Sequence, residues 1–362
     1  MKKMTKVLGC LLVASMIGAV VGGCAKSSTS NPSEAGASVA TDTNTTTQET
    51  TTASDSLKWT DKSVAILIPG TPGGGSDLTT RYLTQSWNEL TGVKFQPENY
   101  DTTVASFKSL IGKKADGLNL AMAHSALVTQ YVTGATDIHP LEDVTLIANI
   151  GNNGLRALAV PSDAPYDTFE EFLEYIKANP GKVKAGISPN GTTQFLMGTL
   201  ENKLGIKFNY VEASAETDRL TNLAGGFIDI GSISLSNGLE YEKAGKLKVI
   251  ATVGANGAKI ADFDPSAPEN YRTIQEMGYE NVYAVTNYYV IGPAGMDEEQ
   301  VKAISESLKG ITDKGSAYVK GMIEMGQVPE WYGLEESKAI LEDELNTLTD
   351  VAKALEIYNV TE

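Results

Sequence analysis

From about residue 57 onward, short continuous apolar runs alternate with longer stretches whose apolar positions recur every three to four residues. The runs read as strands buried on both faces, and the periodic stretches as one-sided helices. Residues 64–68 form such a run, closed by Pro69 and a glycine-rich turn. The helix expected over 77–90 then carries Leu78, Tyr82 and Trp87 at near-helical spacing. The pattern repeats with strand 93–96 and helix 104–111, then strand 118–123 and helix 125–132. Runs 144–150 and 155–160 are joined by Gly151-Asn152-Asn153-Gly154, which is turn chemistry, and the change of rhythm places a crossover nearby.

A second block opens with the capping box Thr168-Phe169-Glu170-Glu171, followed by Phe169, Phe172, Leu173 and Ile176 on one face. Strands are expected at 183–187, 208–211, 227–233 and 247–253. Helices are expected at 192–204, 215–224 and 238–244, two of them closed by glycine. Residues 283–291 read as a strand that returns to the first block, and 298–308, 316–325 and 335–355 as closing helices. Strands alternating with helices imply an α/β fold of mixed, mainly parallel sheets covered on both faces. The expected layout is lobe 1 at 57–158 plus 288–362, lobe 2 at 159–287, and a cleft between them. Ligands in such sheets bind at strand carboxyl ends.

The amino end reads differently. Lys2, Lys3 and Lys6 precede an apolar stretch over 7–21, the order of a secretory signal. It ends in Val21-Gly22-Gly23-Cys24, which resembles a bacterial lipobox. Cys24 is therefore the expected lipidation site and first mature residue, with 1–23 removed. Residues 24–56, rich in Ser and Thr, bury too little to offset ordering and are expected to be a disordered tether. The expected location is the outer face of the cytoplasmic membrane, with lipid as the sole membrane contact.

Composition narrows the function. The formal charge is −16, from 45 acidic against 29 basic residues, and loss of the leader lysines makes it −19. A nucleic-acid partner is excluded, because phosphate contacts need clustered Lys and Arg. Only four arginines occur: Arg81, Arg156, Arg219 and Arg272. Beyond Cys10 and Cys24 there is no cysteine, which excludes disulfides, thiolate catalysis and Cys-based metal sites in the folded part. With two histidines and no nucleophile or zinc motif, no catalytic residue, cofactor or metal is expected.

Two strand–loop–helix segments carry the candidate site. Thr71, Pro72, Gly73, Gly74, Gly75, Ser76 and Asp77 place three glycines before a helix start, so backbone N–H groups and the positive helix end favour an anion. Asp77 is better suited to starting the helix than to touching ligand. In lobe 2, Ser188, Asn190, Gly191, Thr192 and Thr193 offer hydroxyls and an amide suited to carboxylate oxygens. Further strand-end candidates are Thr102, His124, Ser125, Glu212, Ser214, Ser232 and Ser234.

The order Ile68-Pro69 to Gly73-Gly74-Gly75-Ser76-Asp77 with Arg81 resembles the opening of tripartite tricarboxylate transporter receptors, the Bug-type solute-binding proteins. Asn179-Pro180-Gly181-Lys182, Gly191-Thr192-Thr193, Leu223-Ala224-Gly225-Gly226, Ala244-Gly245-Lys246-Leu247 and Gly292-Pro293-Ala294-Gly295 extend the likeness. The resemblance implies a periplasmic-binding-protein-like fold, with two lobes closing on a small carboxylate. It also implies a monomeric receptor delivering solute to membrane transporter subunits. Two segments depart from the family pattern: Glu98 to Thr103, and Glu212-Ala213-Ser214-Ala215. An acidic Glu212 at the cleft would suit an ammonium, which leaves a zwitterionic ligand open. Also open are a sensing lipoprotein with a signalling partner and an anchored extracellular enzyme.

Overall fold

Residues 57–360 are described by a computed structural model. The expected leader, Cys24 and tether lie outside the described residues, which all fall in one unit of the chain, Thr50–Glu362. In chain order the strands are β1 Val64–Pro69, β2 Phe95–Tyr100, β3 Asn119–His124, β4 Val144–Asn152, β5 Arg156–Pro161 and β6 Lys184–Ile187. β7 Asn209–Glu212, β8 Ile230–Ser234, β9 Leu247–Val253, β10 Asn287–Pro293 and β11 Val328–Tyr332 follow. The helices are α1 Gly75–Thr91, α2 Thr103–Ile111, α3 Ala126–Val132, α4 Phe169–Ala178 and α5 Thr192–Leu204. α6 Glu216–Ala224, α7 Leu235–Lys243, α8 Glu298–Ser307, α9 Ala317–Glu324 and α10 Leu334–Ala354 complete them.

The strands form two mixed sheets, ordered β11-β4-β10-β3-β1-β2 and β7-β6-β8-β5-β9. In each, three strands pair in parallel: β1 with β2 and β3, and β6 with β7 and β8. β4, β5, β9, β10 and β11 pair antiparallel, because the strands that carry the chain between sheets must enter and leave at one edge.

Each sheet is covered by apolar clusters on both faces. Trp87 of α1 is fully buried against the first sheet, its ring stacked on Phe95 at 4.7 Å, and its Nε1 donates to Ser307 Oγ at 2.8 Å. Burying such a side chain contributes about 3 kcal/mol. Phe169, Phe172 and Ile176 of α4 do the same for the second sheet. The Thr168–Glu171 capping box fixes where α4 begins.

Two crossings join the sheets. Residues 153–155 lead from β4 into β5, and 254–286 lead from β9 back to β10. They bind each other: Asn153 N donates to Thr286 O and Thr286 N to Asn153 Oδ1, both at 2.9 Å. Gly154 (φ 63°) is required here, since a Cβ would lie 2.2 Å from Gly326 O. On one flank α10 and α3 of the first sheet also meet α5 of the second. Thr129 Oγ1 donates to Asn190 O at 2.9 Å, and Phe195 shares an apolar cluster with Leu341 and Val351.

Several elements differ from the sequence expectation. β10 starts at Asn287, not 283, because residues 283–286 are spent in the crossing. β8 starts at Ile230, leaving Phe227 67% exposed, and α7 starts earlier, capped by Ser234 Oγ. β11 has no alternation to reveal it, all five residues being half-buried.

Candidate functional site

The carboxyl ends of β1, β2 and β3 share one edge with the end of β4 and the start of β10, where His124 pairs with Tyr288. In the second sheet the ends of β6, β7, β8 and β9 share an edge with Arg156, the first residue of β5. Residues 153–155 link the end of β4 directly to the start of β5, so these two strand ends lie close together at a seam between the sheets.

The glycine loop follows β1 at the carboxyl edge of the first sheet. Thr71, Pro72, Gly73 and Gly75 are exposed, with Gly74 and Ser76 half-buried. Gly73 adopts φ 80°, which requires glycine, whereas a Cβ on Gly75 would meet nothing within 4 Å. No side chain caps α1, so its first N–H groups stay open. Asp77 is buried and committed internally. It accepts from Gly73 N (2.9 Å), Arg81 Nε (2.9 Å) and Asn99 Nδ2 (3.0 Å), and Asn99 also ties to Gly70 O (2.9 Å). The Arg81 contact, foremost, holds the Asp77 carboxyl below its usual range despite burial. Asp77 thus braces the loop and has no place left for ligand.

Beside it, Thr102 caps α2 by accepting from Ala105 N (3.2 Å). His124 Nδ1 accepts from Ala126 N (3.2 Å), and burial pushes its imidazole down to about 4, so it is neutral at pH 7. Ser125 Oγ donates to Glu344 of α10 and accepts from Asn287 N (2.8 Å). Glu344 also accepts from Tyr289 OH (2.7 Å) and Asn287 Nδ2 (3.2 Å), tying α10 to the start of β10.

On the second sheet, Thr193 Oγ1 accepts from Ser188 N (2.7 Å), and Gln194 Oε1 from Asn190 N (2.7 Å). Gly191 N donates to Ser188 O (2.9 Å), so this loop is closed by its own side chains and leaves Thr192 facing outward. Glu212 is exposed and receives only Ser214 Oγ at 3.4 Å. Ser232 is fully buried within β8, its hydroxyl meeting no partner among the described residues. Ser234 serves as the cap of α7.

Sequence reasoning passed over the charged corner of this lobe. Arg156 Nη2 bonds Glu216 Oε2 at 2.5 Å, and Glu216 Oε1 accepts from Ser234 N (2.9 Å) and Asn237 Nδ2 (2.6 Å). Burial opposes the charge on Glu216, but Arg156 and these donors hold its carboxyl at about 2. Arg219 is buried and donates to Ser232 O (2.8 Å), Ala213 O (2.8 Å) and Ser214 O (3.0 Å), fixing the loop between β7 and α6. From the first sheet comes Tyr288, a buried ring whose hydroxyl titration is raised by burial and feels both Arg156 and Glu216. The available signal was a lone arginine heading an apolar run, in a chain with few arginines.

Cavities flank the crossings. One of about 590 Å³, on the α10 side, is lined by Ser125, Thr129, Thr192, Phe195 and Glu344 among others. Another, of about 690 Å³, lies between α7 and residues 326–330. Of the sequence candidates, Ser125 and Thr192 line the first cavity, and the glycine loop lines neither. Among the described residues no cluster of His, Cys, Asp or Glu is suited to a metal, and no helix is long and apolar enough to cross a membrane.

Residues 103–357 match the tripartite tricarboxylate transporter family receptor. The chain belongs to this family. Its members are extracytoplasmic solute-binding receptors, not enzymes, and work with the membrane subunits of tripartite transporters. Protein BugT of Bordetella pertussis is 20% identical over 296 residues, covering 80% of this chain and 88% of BugT. Among solved structures, R. palustris Rpa4515 with adipate is similar at a TM-score of 0.68 and 20% identity, covering 82% of this chain and 98% of that one. MatC from Rhodopseudomonas palustris with bound malate has a TM-score of 0.63 and 17% identity, covering 80% and 98%. These likenesses establish the two-lobe periplasmic-binding-protein fold.

Proposed function

We propose that this receptor captures a small carboxylate at the seam between its lobes and hands it to the membrane subunits of a tripartite transporter. The observation that carries this reading is the uncapped, glycine-headed start of α1 at the carboxyl edge of the first sheet. Open helix N–H groups suit an anion. Adipate and malate, the ligands of the two structural neighbours, are dicarboxylates. A ligand touching both lobes stabilises the closed form by its differential contacts. The domain assignment that goes with this is lobe 1 at 57–158 plus 288–362 and lobe 2 at 159–287. The protein works as a monomer tethered by lipid at Cys24, with 24–56 as the spacer.

Thermal unfolding with adipate, malate, citrate, aromatic acids and amino acids tests the capture. A true ligand at 100 times its dissociation constant adds about 2.7 kcal/mol. No shift with any of these classes would remove the carboxylate reading. The anchor has its own test: Cys24→Ala is expected to release the protein from membranes, and unchanged membrane retention refutes lipidation.

A further inference from the structure

We infer that Arg156 is the side chain that grips the ligand's carboxylate, with Glu216 holding the guanidinium in place for it. The inference rests on the capture of a carboxylate at the seam and names the residue that recognises it.

The four arginines differ in what they have left to offer. Arg81 is half exposed and folds back on Asp77, with Asn99 as a further acceptor at 3.4 Å. Arg219 is buried and donates to three backbone carbonyls. Arg272 pairs with Glu269 at the surface. Arg156 stands at the seam, with only 15% of its side chain exposed, and makes one ion pair, through Nη2. Its other N–H groups meet no acceptor among the described residues, and none of them is sealed from solvent. A guanidinium largely withdrawn from water has lost hydration that a planar oxyanion would replace with paired N–H···O bonds.

Glu216 does not compete for the ligand. Its two oxygens already accept from Arg156, Ser234 N and Asn237 Nδ2, so it orients Arg156 and has little capacity for an ammonium. Glu212, the last residue of β7, is exposed and receives only Ser214 Oγ at 3.4 Å. Arg219, itself buried, adds a second guanidinium whose field reaches Arg156, with Glu216 and Asp218 acting on it in the opposite sense. Tyr288, on the first sheet, is near enough for its hydroxyl to feel Arg156.

The experiment uses the folded protein with adipate, malate and citrate as probes, affinity being read by calorimetry. Arg156→Gln is expected to weaken any acid that binds the wild type by roughly thirtyfold or more, the loss typical of removing a desolvated charge partner. Arg156→Lys keeps the charge but loses the planar fork, so part of the affinity should return. In wild-type protein labelled with ¹⁵N-arginine, the acid should shift the Arg156 side-chain signal, which Arg156→Lys identifies by its disappearance. That reading stays valid even if Arg156→Gln fails to fold. Equal acid affinity in a well-folded Arg156→Gln, or a shift confined to Arg81, overturns the assignment to Arg156 while leaving carboxylate capture standing. No acid binding to the wild type overturns both.

Discussion

The loop after β1 and the corner formed by β5, α6 and α7 both lie at strand ends before helix starts, and each contains one arginine–carboxylate pair. In the first, the acid is the buried partner: the Asp77 side chain is 3% exposed and that of Arg81 50%. The pair there serves as scaffolding, holding a string of backbone donors in shape. In the second, the Arg156 side chain is 15% exposed and that of Glu216 25%, with the acid saturated and the base not. The pair there presents a charge. The difference teaches that the direction in which an ion pair's spare hydrogen-bonding capacity points, rather than the presence of the pair, separates framework from recognition.

The sharpest way to break the comparison is Arg219→Ala, which strips three carbonyls of a charged donor inside the second lobe. We expect a loss of about 3–4 kcal/mol, read by urea unfolding. A loss under 1 kcal/mol would mean that the corner is not held by this residue. Next comes Glu344, which ties α10 to β10. Burial, opposed by its bonds to Ser125, Tyr289 and Asn287, pushes its carboxyl up to about 7 from 4.5. The folded protein therefore binds this proton more tightly than the unfolded chain. The associated stability is full below about pH 4.5 and is lost as pH rises through 7, on the order of 2–3 kcal/mol. Glu344→Gln should flatten that part of the pH–stability curve; an unchanged slope between pH 4.5 and 8 argues against it.

Smaller effects sharpen the contrast within the first lobe. Asp77→Ala should cost about 1–2 kcal/mol, because one of its partners is well exposed. It should also weaken acid binding by loosening the glycine loop, whereas stability loss with unchanged affinity would detach that loop from the site. Gly75→Ala should change stability by less than about 0.5 kcal/mol, since the new Cβ meets no protein atom. Its effect should fall on ligand affinity alone.

Much of this architecture follows from periodicity, and what did not has identifiable causes. The run 64–68 declares itself because every residue is apolar, and 247–253 because five of its seven residues are apolar and buried. β11, with Pro329 and Glu330 in a half-buried edge strand, obeys no pattern a sequence can display. The glycine turn before α1 was legible because its composition is local, and so was the part of Asp77 as a helix-start group. The Arg156–Glu216 pair was not, because the two residues come from separate elements, β5 and α6, that meet only once the sheet is formed. Ser232 misled for the converse reason: a serine near a strand end looks exposed until the register buries it.

The contact of α5 with α3 and α10 has a consequence for how the receptor gapes. On that flank Phe195 is buried among residues of the first lobe, and Leu355 lies against Gly198. Parting the lobes there would expose an aromatic ring, at roughly 1.5–3 kcal/mol, and break the Thr129–Asn190 bond as well. The α10 flank therefore resists separation of the two sheets.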